Sequence, residues 1–312
     1  MDGTNQFLAE GVIPATLVVF KDDFSIDMVA SRKHLRDVAS VGSLSGITVN
    51  GHASEIHSFT VLEQQKLLAA SLEEVGSEIP LVSGVYADGS DLAGKIAKIA
   101  ADEGASALLV FPPNSMSMGG QLRPEMALRH FQTIADATDL PLILFQYPAI
   151  TGLGYPLQTM LEIFEKVPTV VAIKDWCNDP MLHERHIRTL HSLPRRVNVL
   201  TTHSSWLMAS LSMQPAGLLS GAGSVIADLQ VQLYTEMKNG NLTVAQGIND
   251  RIYPLAQAFY SPPFLDMHNR MKECLVLLGR LETAVVRPPL LKLENNEIES
   301  LRGALRAAGL LK

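Results

Sequence analysis

Eight short apolar runs recur along the chain, each rich in β-branched or aromatic residues, at positions 11–20, 46–50, 79–86, 107–113, 141–148, 170–176, 197–203 and 217–223. Their starts lie 20 to 35 residues apart. Most of the gaps hold a segment with apolar residues at helical spacing, such as 28–41, 61–75, 92–101 and 124–137. The runs are nearly continuous in apolar residues rather than alternating, as parallel strands covered on both faces must be. Strand then helix, repeated eight times, predicts an α/β chain folded as a (β/α)8 TIM barrel. An open doubly wound sheet would read similarly, but eight units within about 225 residues fit the closed ring better.

Beyond Gly223 the strands stop. Helical spacing follows at 226–239, 244–259, 264–279 and 294–308, with breaks at Ser261-Pro262-Pro263 and Arg287-Pro288-Pro289, where proline removes a donor and disfavours helix in the preceding residue. The expected organisation is a catalytic barrel over residues 1–225 and a C-terminal helical region over 226–312.

Composition narrows the function. Of the 312 residues, 47% are hydrophobic and 18% charged, enough apolar material for a large core and too much for disorder. No apolar run reaches the roughly 18 residues that span a bilayer, and Met1 to Glu10 lacks the order of a signal peptide. A soluble, cytoplasmic protein is expected. Cys177 and Cys274 are the two cysteines, which points to reduced thiols rather than a disulfide framework or a four-cysteine zinc site. Lys plus Arg (25) against Asp plus Glu (32) gives a net charge of −7 with no basic block, so a small molecule is the expected partner, not nucleic acid or membrane.

In such a barrel the chemistry sits where the strands end. Run six reads Val170-Val171-Ala172-Ile173-Lys174, a lysine directly after four apolar residues. Desolvated, its amine would be a neutral nucleophile for a carbonyl; alternatively its stem snorkels and the amine is solvated. In run five, Phe145 and Tyr147 alternate onto one face, which makes the Tyr147 phenol a candidate proton carrier or a packing group. Run two leads into Gly51-His52-Ala53-Ser54-Glu55, a small-residue turn whose N–H groups and Ser54 hydroxyl can hold a carboxylate, or whose polar residues merely cap the turn. His52 could act as an acid or base or be a plain loop histidine. His183 and His186 lack the i, i+4 spacing of a helical zinc pair, and no metal site is expected. The 217–223 segment resembles a phosphate cradle but lacks the following Lys-Ser/Thr, so substrate contact or strand packing fits it better.

Taken together, these positions resemble the dihydrodipicolinate synthase and N-acetylneuraminate lyase family of class I aldolases. The resemblance covers nearly the whole chain. It is carried by Gly11-Val12-Ile13-Pro14-Ala15, the turn ending in Glu55, Phe111-Pro112-Pro113, residues 144–152, Ile173-Lys174-Asp175 and Val286-Arg287-Pro288-Pro289-Leu290, in family order. It implies a barrel with a helical tail, assembled as a homotetramer of two dimers, with Lys174 as the Schiff-base lysine and no cofactor. Pyruvate or a longer 2-oxo acid is the implied substrate, its carboxylate held by His52, Ala53 and Ser54 and by backbone around Leu219 and Gly221.

Departures from the family pattern point away from the synthase reaction. The G-T-T-G-E turn has become Gly51-His52-Ala53-Ser54-Glu55, without its adjacent hydroxyls. The tyrosine of L-Y-N-V-P is Phe145, leaving Tyr147 as its replacement, displaced by roughly 6 to 7 Å along the strand. The relay tyrosine that a neighbouring subunit lends aligns near Asn114, and the arginine for the aldehyde's carboxylate aligns with Ile150. Together with Met116 or Met118, Phe145 and Ile150 suggest a less anionic, more apolar or hydroxylated leaving portion. The expectation is a Schiff-base lyase, aldolase or hydro-lyase, acting on a substrate such as a 2-keto-3-deoxy sugar acid or one from aromatic breakdown. The alternative is a non-catalytic metabolite-binding or regulatory barrel.

Overall fold

The structure, a computed structural model, describes residues 7–312. Eight parallel strands run as β1 (Gly11–Pro14), β2 (Ile47–Val49), β3 (Leu81–Val85), β4 (Ala107–Val110), β5 (Leu142–Gln146), β6 (Val170–Asp175), β7 (Asn198–Thr201) and β8 (Gly217–Ser220). They are hydrogen-bonded in the order β1-β8-β7-β6-β5-β4-β3-β2. The two ends of that sheet meet through parallel bridges between Val12 and Leu44 and between Ala15 and Thr48, with the Thr16 N–H donating to the Thr48 carbonyl at 3.0 Å. The expected barrel is therefore present.

Seven helices follow the first seven strands: α1 (Met28–Ala39), α2 (Val61–Val75), α3 (Ser90–Glu103), α4 (Pro124–Ala135), α5 (Leu157–Lys166), α6 (Pro180–His191) and the short α7 (Leu207–Ser212). Local chemistry starts several of them. Thr60 and Glu63 form a reciprocal capping box on α2, and the Asp179 carboxylate accepts from the N–H groups of Met181 and Leu182 ahead of α6, where Pro180 loses no bond. The eighth helix, α8 (Gly223–Lys238), begins three residues before its expected start and bends at Ile226, where φ is −129° and ψ is 37°. It lies against β1 and α1 and so completes the outer ring. The tail proper is α9 (Leu242–Phe259), α10 (Met267–Leu277) and α11 (Asn295–Ala307).

Strand alternation divides the core in two. Ile143, Phe145, Ala172 and Leu200 belong to the inner cluster, which continues into the tail, while Leu144, Ile173 and Val199 join the outer cluster beneath the ring helices. Lys174 has the parity of Ala172 and pairs in register with Phe145 and Leu200, so it points inward; Asp175 points out.

The tail closes one end of this core with an unusual helix. Every residue from Met267 to Leu275 is buried, five of them polar or charged. Three of them are held at the tail's own loops and at the barrel, while Asn269 Oδ1 and Glu273 Oε1 are buried without a partner. Arg270 donates to the Ser261 carbonyl at 2.6 Å and pairs with Glu297, and Asn269 donates to the Leu291 carbonyl. Lys272 forms a fully buried ion pair with Glu55 and donates to the Val285 carbonyl at 2.9 Å. Glu55 itself sits in the left-handed region at φ 59°, a conformation that costs a non-glycine residue about 1 to 2 kcal/mol and that the ion pair holds.

Candidate active site

Where the strands end, a cavity of about 30 Å³, room for a water or two, opens beside Lys174. Ala15, Phe145, Thr202 and Gly221 reach it from the strand ends, His52 and Ala53 from the turn after β2, and Trp176 from just beyond β6. The tail supplies the rest of the wall: Tyr260 from the end of α9, with Met267 and His268 from the first turn of α10. Wider clefts, one of about 510 Å³ between α1 and residues 279–283, lie on the outer surface away from any buried nucleophile.

Lys174 is 4% exposed, and its Nζ lies 4.1 Å from the centroid of the Phe145 ring. Burial lowers its pKa from 10.5 to about 7. A large share of the amine is thus uncharged at neutral pH and able to attack a carbonyl. Burial also lowers His52 to about 3, helped by the Lys174 charge, and holds His268 well below its ordinary range, so both imidazoles are neutral. Their rings meet edge to face at 4.9 Å, with Trp176 6.4 Å from His52. Burial raises the Tyr260 pKa, against which the Ser204 and Ser220 hydroxyls and the Ala222 N–H act to lower it.

Several sequence expectations meet this geometry and several do not. Lys174, His52, Ala53 and Gly221 line one cavity. Ser54 does not: its hydroxyl donates to the Thr16 carbonyl at 2.8 Å and accepts from the Gly51 N–H at 3.3 Å, so it is consumed within the turn. Leu219 is buried in β8 opposite Ile13 and does not line the cavity either. Tyr147 lies outside it, packed on Phe145 at 4.5 Å and on Trp176 at 5.5 Å, with burial raising its pKa. Alternation does keep Tyr147 on the inner face with Phe145, packed against the inner cluster, but two residues further toward the open end. Ile150 and Met118, expected near the leaving portion, are 96% and 87% exposed on turns beyond β5 and β4. Asn114 instead donates to the Tyr86 hydroxyl.

Behind β6, Asp175 organises a second polar group. His183 and His186 donate from Nδ1 to its carboxylate at 2.8 and 2.9 Å, and these bonds overcome burial to hold its pKa well below the usual carboxylate range. An ionised Asp175 can only accept, so both imidazoles donate to it. Ser210 bonds with His183 Nε2 at 2.8 Å and donates to Thr201 at 2.7 Å, His203 Nδ1 bonds with Thr201 at 3.1 Å, and His203 Nε2 accepts from the Asn178 N–H at 3.1 Å. The donor atoms of Asp175, Cys177, His183 and His203 lie within 4.8 Å of one another, close enough to surround a cation, but hydrogen bonds already engage them. His183 and His186 are thus parts of a buried hydrogen-bonded support for β6 and β7.

Sequence reasoning missed Trp176, Tyr260, Met267 and His268. One signal was present: residues 268–273 place polar and charged side chains at nearly every helical position, which no single solvated face can accommodate.

Comparison with known proteins agrees with the barrel. Residues 8–308 match the Dihydrodipicolinate synthetase family. An uncharacterised DapA-like lyase of Halobacterium salinarum is 28% identical over 96% of this chain and 94% of its own. The 4-hydroxy-tetrahydrodipicolinate synthase of Methanopyrus kandleri is 25% identical over 98% of each chain. Among solved structures, a monomeric dihydrodipicolinate synthase variant superposes with a TM-score of 0.89 at 24% identity, covering 98% of this chain and 99% of the other. YagE, a prophage protein of the same family from E. coli K12 solved with pyruvate, gives 0.88 at 22%, covering 97% and 99%. With the match spanning both barrel and tail, this chain belongs to the dihydrodipicolinate synthetase family, as a divergent member.

Proposed function

We propose that the protein is a class I lyase that forms an imine between Lys174 and a 2-oxo acid. The observation that carries this reading is the inward-facing, buried amine whose pKa is lowered to about 7. Neutral Nζ attacks the C2 carbonyl and water leaves, giving a protonated imine that withdraws electrons from C3. The bond from C3 to C4 then breaks, the C4 hydroxyl gives up its proton, and an aldehyde and a Lys174 enamine result. A proton added at C3 and hydrolysis at C2 release the shortened 2-oxo acid and restore the amine. In the hydro-lyase version C3 loses a proton and a hydroxyl leaves from its neighbouring carbon.

Tyr260 is the phenol that lines the cavity and serves these proton transfers in place of the tyrosine that Phe145 has replaced; Tyr147, packed on the cavity-lining rings of Phe145 and Trp176, is the alternative. Among the described residues the cavity holds one cationic side chain, Lys174, and its walls include Phe145, Trp176 and Met267. That composition favours a leaving portion without its own carboxylate and disfavours the synthase reaction. The pyruvate complex of the E. coli relative supports a 2-oxo acid as the bound core.

Borohydride reduction in the presence of pyruvate is expected to add the mass of the reduced adduct at Lys174 and to inactivate the protein. An unmodified Lys174 at saturating 2-oxo acid would refute the reading. Phe145 in the place of a proton-relay tyrosine favours the competing view of a non-catalytic binding barrel. Cleavage or dehydration by the wild type that disappears in a folded Lys174→Ala variant would exclude that view.

A further inference from the structure

His268 enters the barrel mouth from the tail, 7% exposed, with its ring edge to face against His52 at 4.9 Å. Its Nε2 lies only 3.0 Å from where a Cβ on Gly221 would stand, and that same point is 3.5 Å from the Ala53 Cβ. Glycine at 221 therefore lets the imidazole reach the end of β8. Most other buried histidines are engaged: His130 with Ser90, His183 with Asp175 and Ser210, and His203 with Thr201 and the Asn178 N–H; His34, on α1 away from the cavity, is sealed in with its Nε2 unpartnered. Neither the ring of His52 nor that of His268 bonds to a protein group among the described residues, and both residues line the Lys174 cavity. The turn leaves further donors free. Its backbone bonds run from Ser54 to the Gly51 carbonyl and from Glu55 to the His52 carbonyl, which leaves the N–H groups of His52 and Ala53 without a partner in the turn.

We propose that His268, together with His52 and the Ala53 N–H, grips the carboxylate of the 2-oxo acid whose keto carbon bonds to Lys174. This rests on the Schiff-base reading and adds to it a recognition group from the C-terminal tail. The argument is one of supply. An anion brought into a dry cavity needs several hydrogen-bond donors. The Ser54 hydroxyl is already spent on the Thr16 carbonyl, and the Lys272 ammonium is spent on Glu55 and the Val285 carbonyl. Two neutral imidazoles offer an N–H each without the desolvation cost of a second buried cation beside Lys174.

The test compares pyruvate with acetone, a methyl ketone that lacks the carboxylate, by borohydride trapping at Lys174 over a range of ketone concentrations. In His268→Phe, which keeps a flat ring, the pyruvate concentration for half-maximal trapping is expected to rise about tenfold or more, the size of a lost hydrogen bond to a charged group. The acetone value and the yield at saturation should stay within twofold of wild type. His268→Asn provides the same comparison should the larger ring fail to fold, as judged by thermal melting. A pyruvate value unmoved by His268, or pyruvate and acetone values that shift together, would overturn the inference while leaving the Schiff base standing. No trapping of the wild type by either ketone would bring down both.

Discussion

Replacing Lys174 by methionine should make the protein more stable, by an amount that depends on pH in a specified way. Burial moves the amine from 10.5 to about 7, and at about 1.36 kcal/mol per pKa unit that gap is worth about 5 kcal/mol. The side chain is 4% exposed, so solvent does little to reduce it. The sign follows from proton counting. Between about pH 7 and 10.5 the unfolded lysine holds a proton that the folded one does not, so wild-type stability rises with pH across that window, by up to about 1.4 kcal/mol per unit. Below about pH 7 both forms are protonated and the full penalty applies. Methionine is close in volume and carries no charge, so the variant lacks the penalty. Its stability advantage should be about 4 kcal/mol larger at pH 6 than at pH 10.5, and about 3 kcal/mol larger at pH 8 than at pH 10.5. Urea unfolding of both proteins from pH 6 to 10 measures this difference, and other titrating groups cancel in the subtraction. A stability gap that stays flat with pH would show that the amine keeps an ordinary pKa in the fold, and would refute the desolvated nucleophile.

Tyr260→Phe is expected to lower turnover by about 10² with trapping at Lys174 preserved, the usual cost of losing a general acid or base, while Tyr147→Phe stays within about fivefold. The reverse order would return the proton to Tyr147. Lys272→Met leaves the Glu55 charge buried without its partner and should cost about 3 to 5 kcal/mol in urea unfolding, most of which the double variant with Glu55→Gln recovers. A single variant as stable as wild type would mean that Glu55 finds another partner or water.

The barrel was legible because parallel strands buried on both faces leave near-continuous apolar runs, and every run contains one of the eight strands. Their lengths were not. Run 11–20 supplies a strand only over Gly11–Pro14, and the buried remainder is held by bonds such as that from the Leu17 N–H to the Ser224 hydroxyl, 207 residues away. Lys174 was legible for the same reason as its strand, since parity with Ala172 places it inside. Tyr147 was legible as sharing the inner face with Phe145, but alternation does not say how far beyond the cavity a residue past the end of the ladder at Gln146 stands. Spacing said of His183 and His186 only that they do not make a helical zinc pair, and only the fold shows Asp175 between them. His268 and Tyr260 could not be placed at all, because nothing in local spacing says that a tail helix will end over a strand mouth.

Two of the motifs that carried the family resemblance turn out to be one structural device. Glu55 ends the turn after β2 and Arg287 lies in the terminal Val286-Arg287-Pro288-Pro289-Leu290, yet the Arg287 N–H donates to the Glu55 carboxylate at 3.1 Å. The Arg287 guanidinium pairs with Glu63, which in turn caps α2. Lys272 closes the set by pairing with Glu55 from α10. The turn lost the hydroxyls that would touch a substrate but kept the glutamate that touches the tail, because Glu55 is 1% exposed and its task is to hold α10 against the barrel. His52 and Ala53 precede Glu55, and His268 lies one turn before Lys272 on the same helix, so a single buried ion pair fixes both halves of the cavity wall relative to each other. Breaking that pair should therefore weaken pyruvate trapping as well as stability, and it should do so even though neither Glu55 nor Lys272 reaches the cavity.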